Sequence, residues 1–217
     1  MAGVTEMWQE DGPRPQRWDR VAGRRWSAIL YTFMAFGSNY TRMYSDVKKL
    51  RAVAAGAAML DVPCGGGTLL RELEGSAPAR YVGVDVSSGM LARAAQVGAR
   101  YGWKNLELLE CDVVSLPFDS EFDLCTSYMG LHCFPDPAGA LKAMGTALKP
   151  GGTMRGSAVV LTGARRDRII RSWQSEGAMG AVGTVGEIES WLTDCGLVDV
   201  EVKASGSIAY FSAKRPL

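Results

Sequence analysis

The segment Met59-Leu60-Asp61-Val62-Pro63-Cys64-Gly65-Gly66-Gly67, continued by Thr68-Leu69-Leu70, constrains this chain more than any other. Ala57, Ala58, Met59 and Leu60 form an apolar run that suits a strand covered on both faces. Pro63 has no N–H to give to a central ladder, so the strand ends near Asp61 or Val62. Gly65 and Gly67 allow turns and close ligand approach that a Cβ forbids. A helix opening near Thr68 directs its first amides and positive dipole end at whatever rests on the turn. A plain structural turn reads the same way from these residues alone, so the rest of the chain has to decide.

The dinucleotide fingerprint needs a third glycine for tight helix–strand packing. Here Leu70 holds that position. Asp61 ends the strand where its charge would repel a pyrophosphate. A carboxylate there suits a ligand carrying an ammonium group.

At 217 residues the chain fits one domain with a sizeable core, or one domain with a short extension. Its 47% hydrophobic content excludes a disordered chain. A formal net charge of +1 gives no electrostatic case for general nucleic-acid binding. The cysteines (Cys64, Cys111, Cys125, Cys133, Cys195) form no C-x-x-C pair and suit reduced thiols in a cytoplasmic protein. One histidine and no paired Cys/His spacing argue against a metal site. No signal-peptide core and no membrane-spanning apolar run is visible.

Residues 1–56 read as a tail followed by helices. Met1 to Gln16 is rich in Gly and Pro and reads as a loose tail. A helical period runs from Trp18 through Val21, Trp26, Ile29, Leu30, Phe33 and Met34, breaks at Gly37-Ser38-Asn39, and resumes from Tyr40 to Ala55. These helices either pack on a sheet edge or form a lid that excludes water from a cleft. From residue 57 to 217, strands and helices alternate. Strands are expected at Arg80–Val86, Asn105–Asp112, Phe122–Tyr128 and Thr153–Leu161, with helices at Thr68–Leu73, Ser88–Tyr101 and Ala138–Leu148. Lys149-Pro150-Gly151-Gly152 supplies the stop signals for the last of these. A short helix carrying Arg165, Arg166, Arg168 and Arg171 ends near Ser175. Thr184-Val185-Gly186-Glu187 is a capping box that starts another. Leu197–Val202 and Ile208–Ala213 close the chain as a hairpin, joined at Ala204–Ser207.

Asp85 ends the second strand, where doubly wound folds place an acid for ribose hydroxyls. A carboxylate accepts from both hydroxyls of a diol. The same residue also reads as a helix N-terminal acid. Met90 suits either an adenine contact or the core.

Together, Asp61-x-x-Cys64-Gly65-x-Gly67, Val82-Gly83-Val84-Asp85-x-Ser87-x-x-Met90-Leu91, Cys111-Asp112 and Leu148-Lys149-Pro150-Gly151-Gly152 resemble class I S-adenosylmethionine (SAM)-dependent methyltransferases. The likeness is to the broad small-molecule group that contains the ubiquinone and menaquinone C-methyltransferases. It covers about Ala57 to Ala213, and the first 56 residues carry no family signature. Pro63 departs from the small residue usual before the cysteine of this motif. The resemblance implies a Rossmann-like α/β fold with a seven-stranded sheet and a C-terminal antiparallel hairpin. It implies SAM as cofactor, a small-molecule acceptor, no nucleic acid, and a monomer or homodimer. Asp61, Pro63, Cys64, Gly65 and Gly67 would surround the methionyl part, Asp85 with Val86 would take the ribose, and Met90 would lie near the adenine. Asp112 would accept from the adenine amine beside the Val113 N–H, and the backbone at Ser127 and Tyr128 would close the site.

Methyl transfer needs an acceptor lone pair in line with the S–CH3 bond, and orientation contributes much of the acceleration. Aromatic faces stabilise a sulfonium; Tyr31, Tyr40, Tyr44 and Tyr128 are candidates. His132, after the fourth strand, is the candidate catalytic residue, either as a general base or as a wall of the pocket. The arginines at 165–171 either bind an anionic acceptor or form a solvated helix face. Trp173 and Met179 beside them suit an apolar or aromatic acceptor, with O-, C- and N-methylation all open. Nucleic-acid amino-methyltransferases of this fold carry N/D-P-P-Y where this chain has Ser127-Tyr128-Met129-Gly130. Two other readings stand beside the enzyme: a SAM-binding regulatory or non-catalytic partner, and an NAD(P) oxidoreductase. The second is opposed by Asp61, Leu70 and the closing hairpin.

Overall fold

The computed structural model describes residue 21 and residues 24–39, 41–76 and 78–217. The readings made on residues 1–20, Ala22 and Tyr40 lie outside the described residues. Seven strands build one sheet: β1 Ala58–Asp61, β2 Arg80–Asp85, β3 Leu106–Glu110, β4 Phe122–Tyr128, β5 Leu148–Val159, β6 Val198–Ser205 and β7 Ile208–Lys214, in the order β3-β2-β1-β4-β5-β7-β6. The first five pair in parallel, and β7 runs antiparallel between β5 and β6. The expected closing hairpin is therefore present. Its loop is shorter than expected, because β6 extends to Ser205 and only Gly206-Ser207 turns the chain.

Among the described residues seven helices flank the sheet: α1 Arg25–Phe36, α2 Thr41–Ala54, α3 Thr68–Glu72, α4 Ser88–Arg100, α5 Pro137–Ala147, α6 Asp167–Ser175 and α7 Val185–Asp194. Alternation along the strands splits the core into two layers. Leu60, Val82, Cys125 and Met154 face Leu141 and Met144 of α5 and Ile188 and Leu192 of α7. Met59, Tyr81 and Leu124 face the other way, onto Ala28 of α1, Leu50 of α2, Leu70 of α3, Ala94 of α4 and Ile170 of α6. Leu50 and Leu70 are wholly buried, each worth about 1.5–3 kcal/mol of transfer free energy.

Local chemistry explains the boundaries. Ser87 caps α4 by accepting from the Met90 N–H, and Asp136 caps α5 by accepting from the Gly139 N–H. Thr184 and Glu187 form the capping box of α7. Helix α6 starts at Asp167, later than expected, because the Asp167 carboxylate accepts from the Thr162 and Gly163 amides and folds the preceding loop back on itself. Strand β5 begins at Leu148, directly after α5, earlier than the stop signals suggested. Leu148 pairs with Phe122, and the ladder is irregular before Thr153 meets Leu124.

The N-terminal helices are bonded to the sheet. Tyr128 at the end of β4 donates to the Asp46 carboxylate of α2 at 2.6 Å, and Arg155 of β5 reaches the same carboxylate at 3.3 Å. At the end of α1 the Phe36 carbonyl accepts from the Ser207 N–H in the β6–β7 turn. Gly206 sits in that turn at φ 57°, and a Cβ there would lie 2.5 Å from the Phe36 and Gly37 carbonyl oxygens. Both strain and a backbone clash follow from any side chain at this position. Gly206→Ala should lower stability by about 1–3 kcal/mol, measured by chemical denaturation. An unchanged midpoint would mean that α1 does not rest on this turn.

Candidate functional site

The order of strands reverses between β1 and β4, and ligands of open α/β sheets bind outside the strand ends at such a point. A cavity of about 540 Å³ lies there, within the roughly 300–1,000 Å³ range of small-molecule sites. Its floor is made by strand ends and the β1–α3 turn: Asp61, Val62, Pro63, Cys64, Gly65, Gly66, Asp85, Val86 and Tyr128. Its far wall holds Met90, Cys111, Asp112 and Val113. Its roof includes Tyr31 and Phe36 of α1 and Met43 and Val47 of α2.

Asp61 is buried and accepts two hydroxyl hydrogen bonds, from Tyr81 at 2.6 Å and from Thr126 at 2.9 Å. Burial pushes its carboxyl up to about 7, the two hydroxyls pull it down, and the charge of Asp85 raises it again. Asp85 is also buried. One of its oxygens accepts from the Gly65 N–H and the other from the Ser87 N–H, each at 2.9 Å. Burial raises this carboxyl too, and the amides of Ser87, Gly65 and Val86 oppose the rise. Both carboxylates thus meet one hollow. Each Asp85 oxygen keeps further acceptor capacity for a hydroxyl pair. Asp112 accepts from the Val114 N–H at 3.2 Å and begins a 3-10 turn that carries Val113 into the wall.

Most of the expected cofactor residues line this cavity: Asp61, Pro63, Cys64, Gly65, Asp85, Val86, Met90, Asp112, Val113 and Tyr128. Two do not. Gly67 serves packing: at φ 81°, a Cβ there would lie 3.1 Å from the Ala94 Cα of α4. Ser127 is wholly buried and outside the lining, because alternation along β4 sends it away from the face that Tyr128 takes. The Tyr128 hydroxyl is engaged by Asp46, so only its ring is offered to a ligand. Of the aromatic candidates, Tyr31 and Tyr128 reach the cavity, while Tyr44 lies under the Arg25 guanidinium, 4.8 Å from its ring centre.

His132 lines the cavity, but its Nδ1 accepts from the Val159 N–H at 3.2 Å. The ring proton therefore resides on Nε2. Burial lowers its pKa to about 4. Taking up a proton would require Nδ1 to give up the Val159 bond. The geometry contradicts the general-base reading and leaves a neutral N–H donor. Of the two arginine readings, the exposed helix face is the one these positions match. Arg165, Arg166, Arg168 and Arg171 are exposed and none lines the cavity. Among the described lining residues there is no Lys or Arg, whereas Glu72 and Glu176 join the three aspartates. Trp173 and Met179 do line it, as the apolar reading expected.

The stretch after β4 was expected to face the cleft, and Met129, Cys133 and Phe134 do line it, whereas sequence reasoning missed Glu72. Glu72 is buried and paired with Arg25 and Arg71; a lone acid at the end of a short helix gave no signal. It also missed Tyr81 and Thr126, which read as ordinary strand residues. Strand register brings Thr126 beside Asp61.

Residues 59–152 match the methyltransferase domain family. An uncharacterised chloroplastic methyltransferase of Arabidopsis thaliana is 30% identical over 172 residues, 75% of this chain and 48% of that protein. The 2-phytyl-1,4-beta-naphthoquinone methyltransferase of the same plant is 42% identical over 103 residues, 44% of this chain and 39% of that protein. The chain thus spans half or less of the length of these curated relatives. An S-adenosylmethionine-dependent methyltransferase structure from Mesorhizobium loti superposes with a TM-score of 0.65 at 21% identity, covering 79% of this chain and 96% of that one.

The raised carboxyl of Asp61 has a signed consequence. Unfolded, the group titrates near 3.9; folded, near 7. Between these values the native state holds more protons, so stability declines as pH rises, by at most about 1.4 kcal/mol per pH unit. The decline ends above the folded value. Thermal unfolding of the ligand-free protein should show a loss between pH 5 and pH 7 that Asp61→Asn removes. Parallel curves for the two proteins would mean an ordinary carboxylate at this position.

Proposed function

The chain carries a methyltransferase domain of the class I, SAM-dependent fold, and on that premise we propose that it transfers the methyl group of SAM to a small, neutral, apolar or aromatic acceptor. The observation that carries this reading is the meeting of Asp61 and Asp85 in one cavity that has no Lys or Arg among its described lining residues and is apolar at Met129, Phe134, Trp173 and Met179.

The residues present fit the cofactor. Asp61 would face its ammonium end, and the arriving cation would hold the carboxylate ionised. Asp85 would accept from the ribose diol, Asp112 from the adenine amine, and Met90 and Val113 would flank the base. When bound, SAM would supply an electrophilic methyl group on a sulfonium: the acceptor lone pair would form the new bond to carbon, the electrons of the S–CH3 bond would stay on sulfur, and the proton displaced from the neutral acceptor would pass to bulk solvent. The chain's own part is to bind, align and keep water out. Tyr31 and Tyr128 offer ring faces to the positive charge. Met129, Phe134, Trp173 and Met179 supply an apolar bed for the acceptor, and His132 offers its Nε2–H to an oxygen or nitrogen of that molecule. The absence of Lys and Arg from the lining disfavours carboxylate and phosphate acceptors.

The primary test is S-adenosylhomocysteine release across phenols, quinols, amines and their carboxylated analogues. Turnover is expected on neutral members, with the anionic analogues at least about tenfold slower. Binding of SAM with no product on any acceptor, or preference for the anionic set, would overturn the proposal. Asp85→Ala should weaken S-adenosylhomocysteine by about 10–100-fold, the equivalent of a charge-assisted hydrogen bond worth about 1.5–3 kcal/mol. The same ligand should bind more tightly as pH rises from 6 toward 7.5, and Asp61→Asn should flatten that profile.

His132 separates in a different way. His132→Gln retains an N–H donor and should preserve most of kcat, whereas His132→Phe should lose about tenfold or more. Neither change should move an inflection near pH 6.5, because the imidazole is neutral throughout that range. An inflection that vanishes in both variants would restore the base role.

A further inference from the structure

Helix α1 is apolar around its whole circumference, and such a helix is ordinarily buried on every side. Here it is not. Ala28, Thr32 and Phe36 face the core, but Trp26, Leu30, Phe33 and Met34 are 64%, 55%, 60% and 70% exposed. Their spacing puts them on one stripe of the helix. A contiguous exposed apolar stripe of this kind marks a contact surface.

Charge at its borders identifies the occupant. From Val21 to Asn39 and from Leu161 to Ser175 the sequence holds six arginines and a single acid, Asp167, although the whole chain is only +1. Asp167 is buried on the Thr162 and Gly163 amides. Arg24 and Arg25 stand at the start of α1, Arg25 in an ion pair with Glu72. The Arg166 guanidinium lies against Gly37 at the other end. The ring of Trp173 in α6 meets Phe36 of α1 edge-on at 5.7 Å, which packs the arginine-bearing segment against α1. On α6 itself, Ile169 is exposed.

Aromatic and aliphatic side chains on one helix face with arginines around them are the chemistry of a helix lying in a lipid headgroup region. At 12 residues α1 is far too short to span a bilayer, and no described helix is long and apolar enough to cross one. A symmetric pairing of two copies through the same stripe would bring like charges together. We propose that α1 and the adjoining arginines of the α6 segment dock this protein on an anionic lipid bilayer, with Trp26, Leu30, Phe33 and Met34 in the headgroup layer. The opposite side of the same helix lines the cavity through Tyr31 and Phe36. An apolar acceptor therefore has a route from the bilayer to the site; that part alone rests on the acceptor reading above.

The test is sedimentation of the full chain with vesicles of phosphatidylcholine containing one third phosphatidylglycerol, against pure phosphatidylcholine. Wild-type protein should sediment with the anionic vesicles about tenfold more strongly, and added salt should weaken the binding. Trp26→Ser/Phe33→Ser should lower it about tenfold, as should Arg166→Glu/Arg168→Glu. S-adenosylhomocysteine affinity reports whether each variant is folded, and the arginine pair supplies the answer if the apolar pair is not. No sedimentation, or equal sedimentation by folded variants, overturns the proposal. So does a dimer in analytical ultracentrifugation that Trp26→Ser/Phe33→Ser dissociates, or vesicle binding that appears only after deletion of residues 1–20. Sedimentation reads no methyl transfer, so its failure and that of the acceptor panel are distinguishable.

Discussion

A single carboxyl group, that of Asp61, joins three strands at the point where the sheet changes direction. It belongs to β1, accepts from Tyr81 of β2 and Thr126 of β4, and faces the cavity from their common end. Burying an acid without a cationic partner raises the free energy of the ionised form. The two hydroxyls recover part of that cost, and the remainder is relieved when a positive group arrives. The hollow thereby favours a positively charged group beside this carboxylate. Asp85 is held differently, by two backbone amides that fix both oxygens. One carboxylate rests on hydroxyls, the other on amides.

The roof gives the cavity its second character. Helices α1 and α2 close the apolar end, and they are fastened to the sheet at separate places: Asp46 to Tyr128 and Arg155, Phe36 to the β6–β7 turn. Neutral and carboxylate side chains supply all of the described lining. The arginines at 165, 166, 168 and 171 stand outside it, exposed on the segment that packs against α1.

The sheet and the cofactor side were legible in the sequence because they rest on local signals. A glycine turn after an apolar run, an acid ending the second strand and a capping box each declare themselves within a few residues. The exceptions are the residues whose role is set by neighbours far along the chain. Gly67 reads as a ligand glycine, but contact with α4 governs it. Ser127 and Tyr128 differ only by the alternation of β4. His132 reads as a base until the Val159 amide is found on Nδ1. Tyr81 and Thr126 carried no motif at all, although their hydroxyls pull the Asp61 carboxyl down against its burial. Pairwise geometry across strands is what a linear reading lacks.

Strand β7 follows every other strand in chain order yet lies inside the sheet, hydrogen-bonded to β5 on one side and β6 on the other. As the polypeptide leaves the ribosome, β5 has an open edge until residues 208–214 emerge, and β6 has no sheet to join before then. Nascent chains of this protein must therefore carry an unpaired β5 edge from the emergence of residue 159 until residues 208–214 follow. The turn on which α1 rests is made with β7, so the α1 half of the roof is fastened after the α2 half, which Tyr128 and Arg155 already hold through Asp46.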